Sequence, residues 1–454
     1  MEHMKYEFGD ERMNMRAERC FEKILTNPGL SFPKAFEEPA ELEAFYRFLH
    51  NERTYLDSLK QSLLEDTRSR IKKNAKEILA IHDTSEFKPP KSGSIGPFSK
   101  DGKFLGHVTL LTDFLSPGYV YGVGEVSLWN RVDGYDKEIL DNDLGSNEAD
   151  RWWDQVVRTN SEWSESDLIH VMDREGDASK IWSRLRESGC RFVLRVCHDR
   201  QAKNASTEEV AKLFESMKAA PVLMEKEVPI STRKHAKKAP PKSKKRHPDR
   251  EERLAHVEIS AQVIHFYKTN AQNHRTNETV EMNVVYVFER GWEKDPIEWC
   301  LMTSEPIGTK EEILKVIDIY KSRWMIEEFF HGLKTGCRLE DRMFADEGAW
   351  YRLVIFLLPI VTRILNMRYQ LNHPKDRRHA IDLTTTQWQV LKKLGRRKSR
   401  NVKNLATAYN EICRLGGHIK SNGPPGWKVI LRGYITLLEY EQGWLLATED
   451  VIST

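Results

Sequence analysis

The spacing of apolar residues changes several times along the chain. Up to about residue 60 they recur at helical spacing among many charges, most clearly over 40–49 (AELEAFYRFL). That spacing predicts helices, the last running on to residue 76. Strand-like runs come next. Residues 77–82 (EILAIH) form a short apolar run that stops at Asp83, and 104–112 and 119–129 read as two more strands. Ser116-Pro117-Gly118 supplies the turn between them. Residues 147–161 are spaced as a helix, and 168–172 (LIHVM) as a buried strand stopping at Asp173. A helix over 178–187 and a strand over 191–197 complete the series.

Three strands in a row, then helix, strand, helix and strand, require an antiparallel meander followed by crossover connections. This is the element order of a ribonuclease-H-like mixed sheet, an α/β fold. From 198 to about 305 helical periodicity fades, and strand-like runs at 222–230, 256–268, 279–290 and 297–303 point to a mainly β insertion. Helical spacing returns over 310–372, a linker (HPKDRRH) follows, and the last ~70 residues are helical with a Gly/Pro break at 423–426. The expected domains are a helical N-terminal one over 1–65, a catalytic one over 66–370 and a helical C-terminal one over 371–454. No repeat of solenoid period is present.

Composition narrows the class. Hydrophobic residues make up 39% and charged residues 31% of 454, which suits a globular chain. No uninterrupted apolar run nears the ~20 residues of a membrane helix, and the charged first 30 residues do not resemble a signal peptide. No membrane partner is expected. The six cysteines lack C-x-x-C spacing, so free thiols in a reducing cytoplasm are expected rather than a structural zinc site. The net charge of +3 hides local clustering. Basic residues crowd 233–253 and 392–403, as a polyanionic partner would require, although solvated loops would look the same.

The segment 319–336 (IYKSRWMIEEFFHGLKTG) carries the clearest chemistry. Wound as one helix at about 100° per residue, it places Tyr320, Arg323, Glu327 and Lys334 within an arc of roughly 60°. Ile326, Phe329, Phe330 and Leu333 fall on the apolar side. A surface helix with an Arg323–Glu327 ion pair would explain half of this, and Asp83 or Asp173 taken singly could be a turn or cap residue. Taken together, three carboxylates on one sheet-plus-helix core suit a pair of hard divalent cations. Such ions take oxygen ligands and serve phosphodiester chemistry.

These residues resemble a known family. IHDTS at 81–85, VMDREGD at 171–177 and Y-x2-R-x3-E-x6-K at 320–334 are similar to the three signatures of bacterial DDE cut-and-paste transposases. The subgroup is the insertion-sequence-four family with its Tyr-Arg-Glu-Lys signature. The likeness extends through YRFLHN, GHVTLL, RFVLR, EWCLMTSEP, VIDIYKSRWMIEEF and ICRLGGHIKS. It implies that Asp83, Asp173 and Glu327 bind two Mg²⁺ or Mn²⁺ ions per active site. It also implies that Tyr320, Arg323 and Lys334 hold phosphates, that Trp299 stacks on a flipped base and that Trp324 wedges beside it. Arg195 and Arg47 match DNA-contacting positions, while Cys197 stands where the family has a basic residue. The implied partners are double-stranded DNA, as transposon inverted-repeat ends and target, and a second copy in a synaptic homodimer. The implied setting is a bacterial cytoplasm, in association with DNA. A metal-dependent nuclease on the same core, without strand transfer, is the alternative.

Overall fold

The structure, a computed structural model, describes residues 4–26, 28–36, 38–71, 75, 77–89, 104–132, 135–138, 148–230, 232, 249–269, 274–292, 295–344, 346–373, 376, 379, 383–398, 400–419, 421 and 425–452. Most of the basic stretch at 233–253, much of the HPKDRRH linker and half of the 423–426 break lie outside the described residues. The chain divides into two compact units. One comprises Met1–Lys76, Thr84–Asp143 and Trp324–Thr454; the other comprises Glu77–Asp83 and Leu144–Arg323.

Four helices open the chain: α1 (Glu11–Thr26), α2 (Phe32–Ala35), α3 (Pro39–His50) and α4 (Leu56–Arg70). Strand β1 (Ile78–Phe87) begins in the second unit and ends in the first. The strands β2 (Phe104–Asp113), β3 (Val120–Val132) and β4 (Tyr135–Glu138) form an antiparallel meander in the first unit. The expected end of β1 at Asp83 is corrected: the strand continues four residues further, to Phe87. Asp83 to Glu86 break the apolar run, but backbone pairing does not depend on apolar side chains.

The second unit continues with α5 (Glu148–Glu162), β5 (Leu168–Met172), α6 (Ser179–Glu187) and β6 (Arg191–Val196). Next come β7 (Gln201–Asn204), β8 (Val210–Lys212), α7 (Leu213–Ala219), β9 (Met224–Ile230), β10 (Arg253–Thr269), β11 (Arg275–Glu289), β12 (Glu298–Thr303) and α8 (Lys310–Ser322). The first half of β1, β5 and β6 pair in parallel. The insertion extends the same sheet. Its last strand, β12, runs antiparallel to β6 with Leu301 opposite Arg195, and β11 and β10 follow outward. Trp152, Trp182, Phe192, Phe266 and Met302 share one core on this sheet. The short elements β7, β8 and α7 escaped the sequence reading because each is too brief to display a period.

The rest of the first unit is helical: α9 (Trp324–His331), α10 (Glu347–Asn372), α11 (Thr385–Arg397), α12 (Leu405–Leu415) and α13 (Trp427–Ile452). Helix α10 is long and apolar enough to cross a membrane, but it is almost wholly buried as the core helix of its unit. Phe356 at its middle touches the rings of Tyr6, Phe21, Phe45 and Phe48, each with centroids within 6.0 Å, so the N-terminal helices pack around this one residue. Asp66 of α4 lies buried between Arg70 and Arg363, both donating to its carboxylate. Helices α12 and α13 cross at Gly416 and Gly433, where any Cβ would meet the facing backbone carbonyl at 1.8 Å. Part of the basic run at 392–403 is used internally: Lys393 lies over the Trp444 ring and Arg400 pairs with Glu411. The fold is a mixed parallel and antiparallel sheet core with helical N- and C-terminal regions, in keeping with a ribonuclease-H-like DDE fold.

Candidate active site

The pairing of β1 with β5 fixes the first piece of geometry. Ala80 lies opposite His170 and Ile81 opposite Val171. Two positions beyond this last pair come Asp83, still within β1, and Asp173, just past the end of β5. Side chains alternate along extended backbone, so the two carboxylates leave the same face from backbones about 4.8 Å apart. Asp173 is also the N-cap of the turn Arg174–Gly176, where Oδ1 accepts the Glu175 amide at 2.8 Å. The cap is therefore real, and it leaves the second carboxylate oxygen for a ligand.

Carboxylates on neighbouring strand ends repel one another; at about 5 Å and an effective dielectric near 20 the cost would be roughly 3 kcal/mol. A cation between or beside them relieves this. Arg323, just past the end of α8, brings Nη1 to 3.7 Å from Asp83 Oδ2, with both side chains largely buried. The donor set, oxygen only and doubly negative, fits a hard divalent ion such as Mg²⁺ or Mn²⁺.

Other expected site residues gather in the same unit. The Trp299 and Tyr320 rings meet edge to face, with centroids 5.4 Å apart. Arg195 on β6 donates to the Glu298 carbonyl at 2.8 Å, beside Trp299. Arg174 was not singled out from the sequence, yet it belongs to this cluster. Its pKa is lowered, first by burial and then by the Arg195 charge, while Tyr320, Cys197 and Asp173 act in the opposite sense. Its position directly after Asp173 was the available signal.

The remaining residues lie in the first unit. Glu327 is half-buried on α9, and Trp324, at the start of that helix, is 59% exposed. Lys334 donates to the Glu86 carbonyl at 2.6 Å and lies over the Phe87 ring. Arg47 sits on the surface of α3, 3.5 Å from Glu43. Ile326, Phe329, Phe330 and Leu333 are buried as their spacing predicts. The single helix expected over 319–336 is corrected, however. The segment is α8, α9 and then a π turn over Gly332–Gly336, so Lys334 does not keep the phase that an unbroken helix would give it.

A second group, Asp177, Cys197 and His198, brings ligand-type atoms within 4.8 Å of one another and could hold a metal ion. Its carboxylate is already engaged. Oδ2 accepts the Cys197 and His198 amides at 2.7 and 3.0 Å, and Oδ1 accepts Arg200 at 2.6 Å. Asp177 first of all clasps the loop after β6.

Residues 1–54 match a family described as transposase DNA-binding, and residues 132–356 match one described as transposase DDE domain. The first match contains Arg47. The second contains Asp173 and Glu327, and Asp83 precedes it. Among solved structures, the chain is similar to a piggyBac transposase in a synaptic complex with hairpin DNA. The identity is 10% over 94% of this chain and 76% of that one, with a TM-score of 0.35. The chain is a DDE-type transposase with an N-terminal DNA-binding domain.

Proposed function

We propose that this protein carries out cut-and-paste DNA transposition: nicking at each element end, hairpin formation, hairpin opening and strand transfer into target DNA. The observation that carries the reading is the parallel register of β1 with β5, Ile81 opposite Val171, which brings Asp83 and Asp173 to the same end of this strand pair. In this reading both aspartates hold divalent metal, and Glu327 joins them on the strength of its sequence motif. Bound Mg²⁺ or Mn²⁺ would supply charge stabilisation to in-line phosphoryl transfer. The protein's own residues position the DNA. Tyr320, Arg323 and Lys334 hold backbone phosphates, and Arg195 adds a further cation. Trp299 offers a face to a flipped base and Trp324 wedges beside it. Arg47 and the N-terminal helices bind the element end, and the C-terminal helices pair two copies into a synaptic dimer.

Cleavage and joining assays on DNA flanking the encoding gene test this. Asp83→Asn, Asp173→Asn and Glu327→Gln should each abolish Mg²⁺-dependent cleavage while end binding survives. Asparagine is chosen at 173 because its side-chain oxygen still caps the turn. Normal cleavage by any one variant removes that residue from the site. Hydrolysis without joining of 3′ ends would make the protein a nuclease instead.

A further inference from the structure

On the other face of the second unit's sheet, β1 and β5 are tied together by side chains. His82 Nε2 lies 2.8 Å from His170 Nδ1, and His170 Nε2 lies 3.0 Å from Asn160 Oδ1. Asn160, near the end of α5, donates its amide to Cys190 Sγ at 3.3 Å. Both imidazoles are buried, and Trp152 of α5 leans on His82 with ring centroids 6.5 Å apart.

With His170 neutral, one proton arrangement satisfies these contacts. Asn160 Oδ1 only accepts, so His170 carries its proton on Nε2. Its Nδ1 then accepts, and the donor is Nε2–H of His82. A second proton on His170 would reverse this bond, requiring His82 Nε2 to accept. Burial also pushes the His170 pKa down to about 4, so the ring is neutral at pH 7. The bonds therefore run in one direction, from His82 through His170 and Asn160 to Cys190.

Core-facing positions of parallel strands are ordinarily apolar. Buried imidazoles carry a desolvation cost that hydrogen bonds offset. What they add over leucine or valine is direction. Ala80 stands opposite His170 in the register, so the bond from His82, two residues further along β1, reaches back diagonally to His170. A diagonal bond resists sliding of one strand along the other. It acts one residue before Asp83 and three before Asp173.

We propose that His82, His170 and Asn160 are positioning residues for the acidic pair. Their bond chain holds β1 in register with β5 and so sets the spacing at which Asp83 and Asp173 meet a divalent cation. This rests on the reading of that pair as the metal-binding site. Groups that orient metal ligands from behind commonly change metal affinity by 10–100-fold.

The test is Mn²⁺ binding to the full chain without DNA, followed by electron paramagnetic resonance, with circular dichroism to confirm folding. His82→Leu should raise the half-saturating Mn²⁺ concentration about tenfold. His82→Gln, whose amide nitrogen reaches the place of Nε2, should restore most of the affinity. General loosening of the core would move both variants alike, so equal shifts, or none in His82→Leu, overturn the proposal. If His82→Leu does not fold, Asn160→Ala probes the same chain from the helix. A raised half-saturation value supports the proposal and an unchanged one overturns it. Asp83→Asn is run beside them. If it binds Mn²⁺ like the wild type, the reading of the acidic pair falls and the positioning role falls with it. If it loses binding while His82→Leu does not, the positioning role alone falls.

Discussion

Arg323 Nη1 lies 3.7 Å from Asp83 Oδ2. An arginine this close to a candidate metal ligand partly neutralises it, and a bound metal would compete with it for the carboxylate charge. The same guanidinium suits a phosphate, which it matches with two parallel donors. On the proposed reading, this one side chain would oppose metal binding and favour DNA.

Arg323→Ala should therefore separate the two effects. Removing the cation leaves the acidic pair more negative, so Mn²⁺ should bind a few-fold more tightly in the absence of DNA. End binding should weaken, and the slope of log affinity against log salt should fall by about one. Mn²⁺ titration and gel shifts at several salt concentrations measure both. An unchanged metal titration would mean that Arg323 does not neutralise the pair.

Trp299 meets Tyr320 edge to face on the same unit as the two aspartates. If the indole serves a flipped base, Trp299→Ala should slow hairpin formation roughly 5- to 150-fold more than the first nick, because stacking on a base is worth about 1–3 kcal/mol. Quenched time courses on end DNA resolve the two steps. Equal loss at both would assign Trp299 to packing against Tyr320.

Asp66 tests the frame of the first unit. Burial alone would raise its pKa, but Arg363 and then Arg70 outweigh burial and hold it below the usual carboxylate value. Because the folded pKa is depressed, this stabilisation is complete above about pH 4 and is lost as pH falls through the lower folded value. Asp66→Asn leaves two buried guanidinium groups without a counter-charge and should cost about 3 kcal/mol at pH 7. Denaturant unfolding should show that gap between wild type and variant shrinking below pH 4. A constant gap would refute the electrostatic account.

Several elements were legible in the sequence because their periods are strong. LIHVM forms β5 over its predicted length, and α6 begins one residue after its expected start. The apolar positions between Ile326 and Leu333 were equally readable, since a core-facing stripe repeats along a helix. The π turn at Gly332–Gly336 was not. A Cβ at Gly332 would come within 2.8 Å of Val361 Cγ1, and that neighbour lies on another helix. Nor did any local pattern mark His82 and His170 as partners, because they stand 88 residues apart in the chain.

The sequence by itself determined the element order, the strand that carries Asp173 and the acidic and basic motifs, because these depend on side-chain type and spacing along a short segment. Tertiary structure decided that Asp83 stands inside a strand paired with the one that leads to Asp173, that Arg323 faces Asp83 and that buried histidines tie β1 to β5. Those relations arise from hydrogen-bond register and packing between distant segments, and no periodicity within either segment encodes them.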